Sequence, residues 1–430
     1  MLIFNELEVI KRNFIACLKT APLAIVGILL YMGLKSTVIF EGGLHYFNGT
    51  HHPSYLGWYD FVLGYSIIFT FACGSLKLRF KDLILGIILL FIISASWIGT
   101  YEQDKAFIVD GLICFLRFFM TFIFAKSLAY KLGSKVSESV LIVTYGVLSL
   151  NALLWYTLQF GDQNRLAASA MTSPSFGQIS AMLCLLFYSR KYYPLLFLSF
   201  ILLLLTFSRT SILLFLTILI VQNRQLNLWK ILKYFLGFAV LAGVGIVLMI
   251  KYGGAGTDVV LASRFDPNEI YNLNGRSDIW AHALNLIRSQ KISMFGAGFH
   301  MTPSLIEDYN LKFLRSYDSS FYIPPHYHSI LIEYALGLGI FSLLFFSYFI
   351  VRIGQTFRNN CDPAFSFFTY FLLSQILDYT FNAPKEIIIF SLILGFAESQ
   401  WQQEQKETVV VQQTLSRQDR TNFKKQSGSH

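Results

Sequence analysis

Apolar residues fall in helix-length blocks along most of this chain, and polar residues gather in one place. Twelve blocks are read, at 21–40, 58–75, 82–99, 106–127, 138–159, 172–189, 193–208, 210–222, 234–250, 328–351, 363–380 and 386–399. Blocks such as Asp82–Gly99, Ala106–Phe124 and Tyr234–Ile250 are long enough, at 1.5 Å per residue, to cross roughly 30 Å of hydrocarbon. Residues 251–327 break the pattern. They are polar and charged, and they end in His326-Tyr327-His328-Ser329 at the mouth of the next apolar block. The pattern predicts an all-α polytopic membrane protein with about twelve transmembrane helices. Residues 1–250 hold the first nine, 251–327 form a large loop with amphipathic helices, 328–399 hold the last three, and 400–430 form a basic tail. That tail, rich in Gln, Glu, Lys, Arg and Ser, reads as a solvated helix fading into disorder. No internal repeat is evident.

The blocks 193–208 and 210–222 form one apolar stretch broken by Ser208-Arg209-Thr210. A single helix would put Arg209 in mid-hydrocarbon and reverse every later loop. A hairpin puts Arg209 at a tip on the membrane surface. Charge decides, because basic residues collect on the cytoplasmic side. With a hairpin and the N-terminus inside, Lys11, Arg12, Lys19, Lys77, Arg79, Lys81, Lys126, Lys131, Lys135, Arg190, Lys191, Arg224, Lys230, Lys233, Arg352, Arg358 and the tail all fall on one side. The short outer loops are then nearly bare of positive charge, and both termini are cytoplasmic.

Composition agrees. Hydrophobic residues make up 54% of the chain and charged residues 14%, where a soluble domain carries about 25%. The net charge of +9 is accounted for by the cytoplasmic-side bias, and no basic stretch is interleaved with aromatics, so no nucleic-acid partner is expected. Cys17, Cys73, Cys114, Cys184 and Cys361 lie in apolar blocks or cytoplasmic segments with no ligand spacing, which implies neither disulfides nor a zinc site. Lys11, Arg12 and Lys19 precede a block without a small-residue cleavage site, so the first helix is expected to be a retained anchor.

The large loop carries the candidate chemistry. A helix is predicted after Asn274-Gly275-Arg276-Ser277, with Ser277 as its N-cap. Ile279, Trp280, Ala283, Leu284 and Ile287 give it an apolar face for the membrane surface or the tops of the spans. Arg276 then sits at a helix N-terminus, a second feature that favours an anion; the alternative is a solvated surface charge. Arg209 either snorkels or faces a polar cavity. Arg165, in the short loop Gly161–Ser169, is a third cation expected on the same face. Asp110 and Arg117, two turns apart on one helix face, suit a structural pair. His328 starts a span near the outer interface, where an imidazole can take a proton from a hydroxyl. A structural histidine is the alternative. Pro324-Pro325 fix its approach, and His326 faces another way. Ser329 and Glu333 follow it into the span, Glu333 placed to orient polar groups or to pair within the bundle.

Three features in this order resemble the O-antigen ligase/polymerase family. They are Ser208-Arg209-Thr210 in a late hairpin; Arg276 followed by Trp280 and Gly296-x-Gly298; and His328-Ser329 at the end of a large outer loop before a span with Gly337 and Gly339. The resemblance covers about 165–345 in motif. It implies a glycosyltransferase of the GT-C type in the bacterial inner membrane, metal-independent and without a cofactor. Its donor would be an undecaprenyl-diphosphate-linked glycan, used at the periplasmic face. Arg209 and Arg276, with Arg165, would hold the diphosphate, and His328 would activate the acceptor hydroxyl. His326, Ser329, Glu333 and Trp280 would support them. The acceptor is a lipid A–core sugar in a ligase, or a second lipid-linked glycan in a polymerase. The Gly337-x-Gly339 spacing and Pro174-Ser175-Phe176-Gly177 lean towards polymerase, and His-x-His-Ser towards ligase. Ligase is the expectation. A flippase of lipid-linked sugars would also want outer arginines, but it calls for repeated halves that this chain lacks.

Overall fold

The computed structural model describes residues 2–34, 58–98, 105–158, 166–168, 171–222, 276–288, 294–299, 305, 313–314, 321–322, 327–381 and 384–427. Eleven of the twelve apolar blocks are helical there; the block 234–250 lies outside the described residues. The helices are α1 (Leu2–Thr20), α2 (Pro22–Leu34), α3 (Trp58–Ala72), α4 (Phe80–Ser96), α5 (Lys105–Leu132), α6 (Ser134–Thr157), α7 (Ser173–Arg190), α8 (Tyr193–Leu205), α9 (Arg209–Gln222), α10 (Arg276–Arg288), α11 (Ile330–Leu338), α12 (Ser342–Arg358), α13 (Asp362–Leu377) and α14 (Pro384–Ser427). Among the described residues, three stretches are long and apolar enough to cross a bilayer by themselves: Gly111–Leu132, Ser134–Thr157 and Ile330–Arg358. Asn5–Thr20 and Pro22–Gly33 pass that test only together, bent by 116°. The 328–351 block is not one regular helix, because a 3-10 turn at Gly339–Phe341 separates α11 from α12. The 386–399 block and the tail form one continuous helix to Ser427. Phe313–Leu314 and Phe321–Tyr322 form a small antiparallel pair in the loop, where only helices were expected.

The reversal at Arg209 follows from which ends touch. Thr172 caps α7, its hydroxyl accepting from the Ser175 amide at 3.4 Å, and Lys191 in a left-handed conformation closes it. The Leu166 amide, just before α7, bonds the Leu205 carbonyl at the end of α8 (3.0 Å). A Cβ on Gly177 would lie 2.8 Å from the Ser208 Cβ and 3.2 Å from the Ser211 hydroxyl, at the start of α9. At the far end, Gln222 of α9 donates to the Ser189 hydroxyl of α7 at 3.2 Å. So α9 packs on α7 and runs parallel to it, α8 runs back antiparallel to both, and the chain turns at Thr206–Ser208, where Phe207 has φ +52°. The hairpin reading holds.

Basic residues and their partners gather at the opposite end. There Arg190 binds Glu138 with Nε at 2.8 Å and Nη2 at 2.5 Å. The Ser134 amide meets Gln403, Arg352 binds Glu398 at 2.7 Å, Arg79 binds Gln402 at 3.0 Å, and Lys131 reaches the Ser75 carbonyl. The bundle is apolar outside: Phe61, Tyr65, Phe80, Phe91, Leu213, Leu343 and Ile350 are exposed. Charge is inside: Lys126 pairs with Asp82 at 2.6 Å, both buried. An apolar belt around buried ion pairs is stable in lipid and not in water. Arg117 pairs across the bundle. Its Nε and Nη2 reach Asp60 at 2.6 and 2.8 Å, and the Tyr31 hydroxyl donates to the same carboxylate. A partner on another helix spans the bundle, whereas one on the same helix would leave both side chains facing one neighbour.

α10 lies on top of α11. Ile279, Ala283 and Leu286 bury against Tyr327 and Leu336, with Trp280, Leu305 and Ile332 packed around them. The buried face is therefore turned from the expected one, since Leu284 and Ile287 are exposed. The helix starts at Arg276, so Ser277 lies inside it rather than at its cap. After α10, 294–299 is fastened to α11 and the turn that follows it by backbone hydrogen bonds, and the Phe299 ring stands edge-on to Tyr334 of α11. Ala297 N–H bonds Leu336 O (2.7 Å), Gly298 N–H bonds Gly337 O (3.0 Å) and Ile340 N–H bonds Met294 O (3.0 Å). Gly296 (φ +91°) has no room for a Cβ, which would stand 2.3 Å from Gly337 O and 2.8 Å from Gly339 N. Gly339 (φ +55°) is closed in the same way by Met294 O, 2.1 Å from where its Cβ would be. We expect Gly296→Ala to lower stability by at least about 1–3 kcal/mol, from backbone strain alone. The thermal melt of the detergent-solubilised protein measures this, and an unmoved melting temperature would show that the interlock is dispensable.

Candidate functional site

The site is built at the Arg209 end, where α13 runs out. Asp378 leaves α13 in an extended conformation and presents its carboxylate to two loop residues. Arg276 donates through Nη2 to Asp378 Oδ1 at 2.8 Å and through Nη1 to the Leu377 carbonyl at 2.7 Å. His328 Nδ1 stands 3.9 Å from the same Oδ1. That is beyond a hydrogen bond but within the reach of an ion pair once the imidazole carries a proton. The Arg276 and His328 side chains keep 21% and 20% of their surface open, and Asp378 11%. A guanidinium has five N–H donors, and these bonds use two of them.

His328 is held through its neighbours. Its φ is +56°, a left-handed value that a β-carbon disfavours. Such strain persists only where the surroundings impose it, and it clusters at functional sites. The Tyr327 amide donates to Glu333 Oε1 (2.5 Å), and the Tyr327 carbonyl accepts from Trp280 Nε1 (2.8 Å). The Tyr327 hydroxyl meets His282 Nδ1 at 3.3 Å. On the other side, the His328 carbonyl accepts from the Tyr379 amide at 3.2 Å. Glu333 thus holds the backbone of the residue before the histidine. Trp280 joins the loop helix to the residue before the histidine. Ser329 is buried at the N-cap of α11 without a side-chain capping bond.

Arg209 opens α9 at the same end. Ser208, just before it, shares a hydrogen bond with Ser211 at 2.7 Å and lies against Gly177. Gln178, the next residue of α7, donates to the Asp378 carbonyl at 2.9 Å. One turn of α7 therefore stands between the Arg209 turn and the Arg276–Asp378–His328 group. Arg165 and His326 lie outside the described residues. Leu166, next to Arg165 in sequence, is tied to α8 at this end.

Asp378 was not among the candidates read from the sequence. It closes an apolar block fifty residues after His328, and an acid at a helix end has many bland uses. The signal available was that it is the only acid in the block 363–380.

The comparison with protein families bears on this geometry. Residues 194–347 match the family described as O-antigen ligase. Over that stretch the chain is similar to O-antigen ligases. No curated protein and no solved structure matches it. The O-antigen ligase match contains Arg209, Arg276, Trp280, His328 and Glu333, together with both interlocked glycine pairs; Asp378 lies beyond it.

Proposed function

We propose that this protein is an O-antigen ligase of the bacterial inner membrane. In this reading twelve helices cross the membrane, both termini are cytoplasmic, and the Arg209 end faces the periplasm. The enzyme transfers a glycan from undecaprenyl diphosphate to a sugar hydroxyl of lipid A–core. The observation that carries the reading is the single Asp378 carboxylate shared by Arg276 and His328, at the end of the bundle where Arg209 also stands.

The residues divide the work as follows. Arg276 and Arg209 bind the diphosphate, whose charge grows as it leaves; two planar guanidinium groups suit a bidentate grip on it. His328 takes the proton of the acceptor hydroxyl. The acceptor oxygen bonds to the anomeric carbon as the bond from that carbon to the diphosphate oxygen breaks. Configuration inverts, and undecaprenyl diphosphate departs as an anion. Asp378 faces His328 Nδ1 and stabilises the imidazolium that forms. The residues assign every step without a metal or cofactor.

The lipopolysaccharide of a deletion strain tests the reading. A ligase deletion leaves lipid A–core with no attached glycan, whatever its length. Attachment of a single repeat unit would instead establish the polymerase, the alternative favoured by the Gly337-x-Gly339 spacing. A normal ladder would overturn both.

A further inference from the structure

Behind Asp378, away from Arg276 and His328, lies a buried cluster of amide and hydroxyl side chains. Gln178 of α7 and Gln375 of α13 are 1% and 0% exposed, and Thr380 is buried beside them. Their hydrogen bonds allow one arrangement. The Gln375 Oε1 accepts the backbone amides of Thr380 (2.8 Å) and Phe381 (2.9 Å), so it must be the oxygen. Its Nε2 therefore points the other way and donates to Gln178 Oε1 (2.8 Å) and to the Thr380 hydroxyl (3.1 Å). The Thr380 hydroxyl in turn donates to Gln178 Oε1 at 2.7 Å. That leaves Gln178 Nε2 facing the Asp378 carbonyl, to which it donates at 2.9 Å.

This cluster ties down the chain from 378 to 381. The Asp378 amide returns to Ser374 O (2.8 Å), its carbonyl is held by Gln178, the Tyr379 amide by His328 O, and the next two amides by Gln375. With the backbone fixed on both sides, only the side-chain torsions of Asp378 remain to place its carboxylate. Gln178 also follows Gly177, which is packed against the Arg209 turn.

We propose that Gln178 and Gln375 are positioning residues for glycan transfer. They set the direction of the Asp378 backbone, and through it the distance from its carboxylate to Arg276 and His328. The inference rests on the ligase reading above, because it acts through Asp378. Neither glutamine touches the reacting atoms.

The test is a double-mutant cycle, since coupled residues show it where independent ones do not. Wild type, Gln178→Met, Asp378→Asn and the double variant are purified in detergent. Each is assayed with a synthetic undecaprenyl-diphosphate oligosaccharide and lipid A–core. Gln178→Met keeps the volume and loses the amide. We expect turnover to fall by about tenfold to a hundredfold, the scale of a small misplacement of a catalytic group. In the Asp378→Asn background the same change is expected to have no further effect. Two losses that multiply, or full turnover by Gln178→Met, would overturn the proposal. If Gln178→Met does not fold, Thr380→Val takes its place, removing the hydroxyl at equal shape. A loss of about threefold or more that vanishes beside Asp378→Asn supports the proposal at the same scale of reasoning; wild-type turnover overturns it. Full transfer by His328→Ala in the same assay would instead reject the ligase reading, and the positioning role with it.

Discussion

His328→Ala is expected to abolish glycan transfer while leaving the protein folded and in the membrane. A positioned base accounts for about 10²–10⁴ in rate. Three features of the site support that proposed role. Its backbone is held in a left-handed conformation by bonds to both flanking residues. Its Nδ1 edge faces a carboxylate that is itself fixed by an arginine. Its side chain keeps a fifth of its surface open for an acceptor to reach. Alanine removes the imidazole and leaves the Tyr327 and Tyr379 bonds in place, because those are made by backbone. The membrane level and melting temperature of the variant should therefore match wild type. Transfer is read by lipopolysaccharide gel in a deletion strain and by radiolabelled donor in vitro. A ladder of normal intensity from His328→Ala would remove the enzyme mechanism as written.

Arg276→Lys is the second large effect. Lysine keeps the charge but loses the planar fork, so it cannot bind Leu377 O and Asp378 Oδ1 together and still offer donors to a diphosphate. Donor kcat/KM should fall by about tenfold or more. Arg276→Ala should fall further, because the charge and both hydrogen bonds, to Asp378 and to the Leu377 carbonyl, are lost together. Acceptor KM should move less than donor KM in both variants. Unchanged donor kinetics in Arg276→Lys would show that Arg276 serves only to hold the loop on α13.

Much of this was legible in the chain. Helix-length apolar blocks leave few architectures open, because lipid forces backbone groups to be satisfied within each segment. The Arg209 turn was legible because an arginine in mid-hydrocarbon is costly and the charge bias has a sign. Arg276 stood out at the start of a helix predicted within the loop, and His328 at the border between loop and span. What stayed hidden were partners. Arg117 binds Asp60 on α3, and only packing brings together two residues so far apart in sequence. Asp378 became visible only when the end of α13 met the loop helix. The face of α10 was missed by one step of rotation, since Leu284 and Leu286 are equally apolar and the choice between them belongs to α11. The two glycine pairs were each weak as motifs; their meaning lies in their meeting each other.

The fastening of Tyr327 and of Gly337 has a consequence for how this enzyme can vary. Each is anchored from outside its own helix, Tyr327 by Trp280 and Gly337 by Gly298. Between the two anchors the chain is almost all α-helix, which advances about 1.5 Å and turns roughly 100° with every residue. The interval is a ruler of fixed length. Adding or removing a single residue there would swing the histidine away from its acid or unseat the glycines, and no loop lies inside the interval to absorb the error.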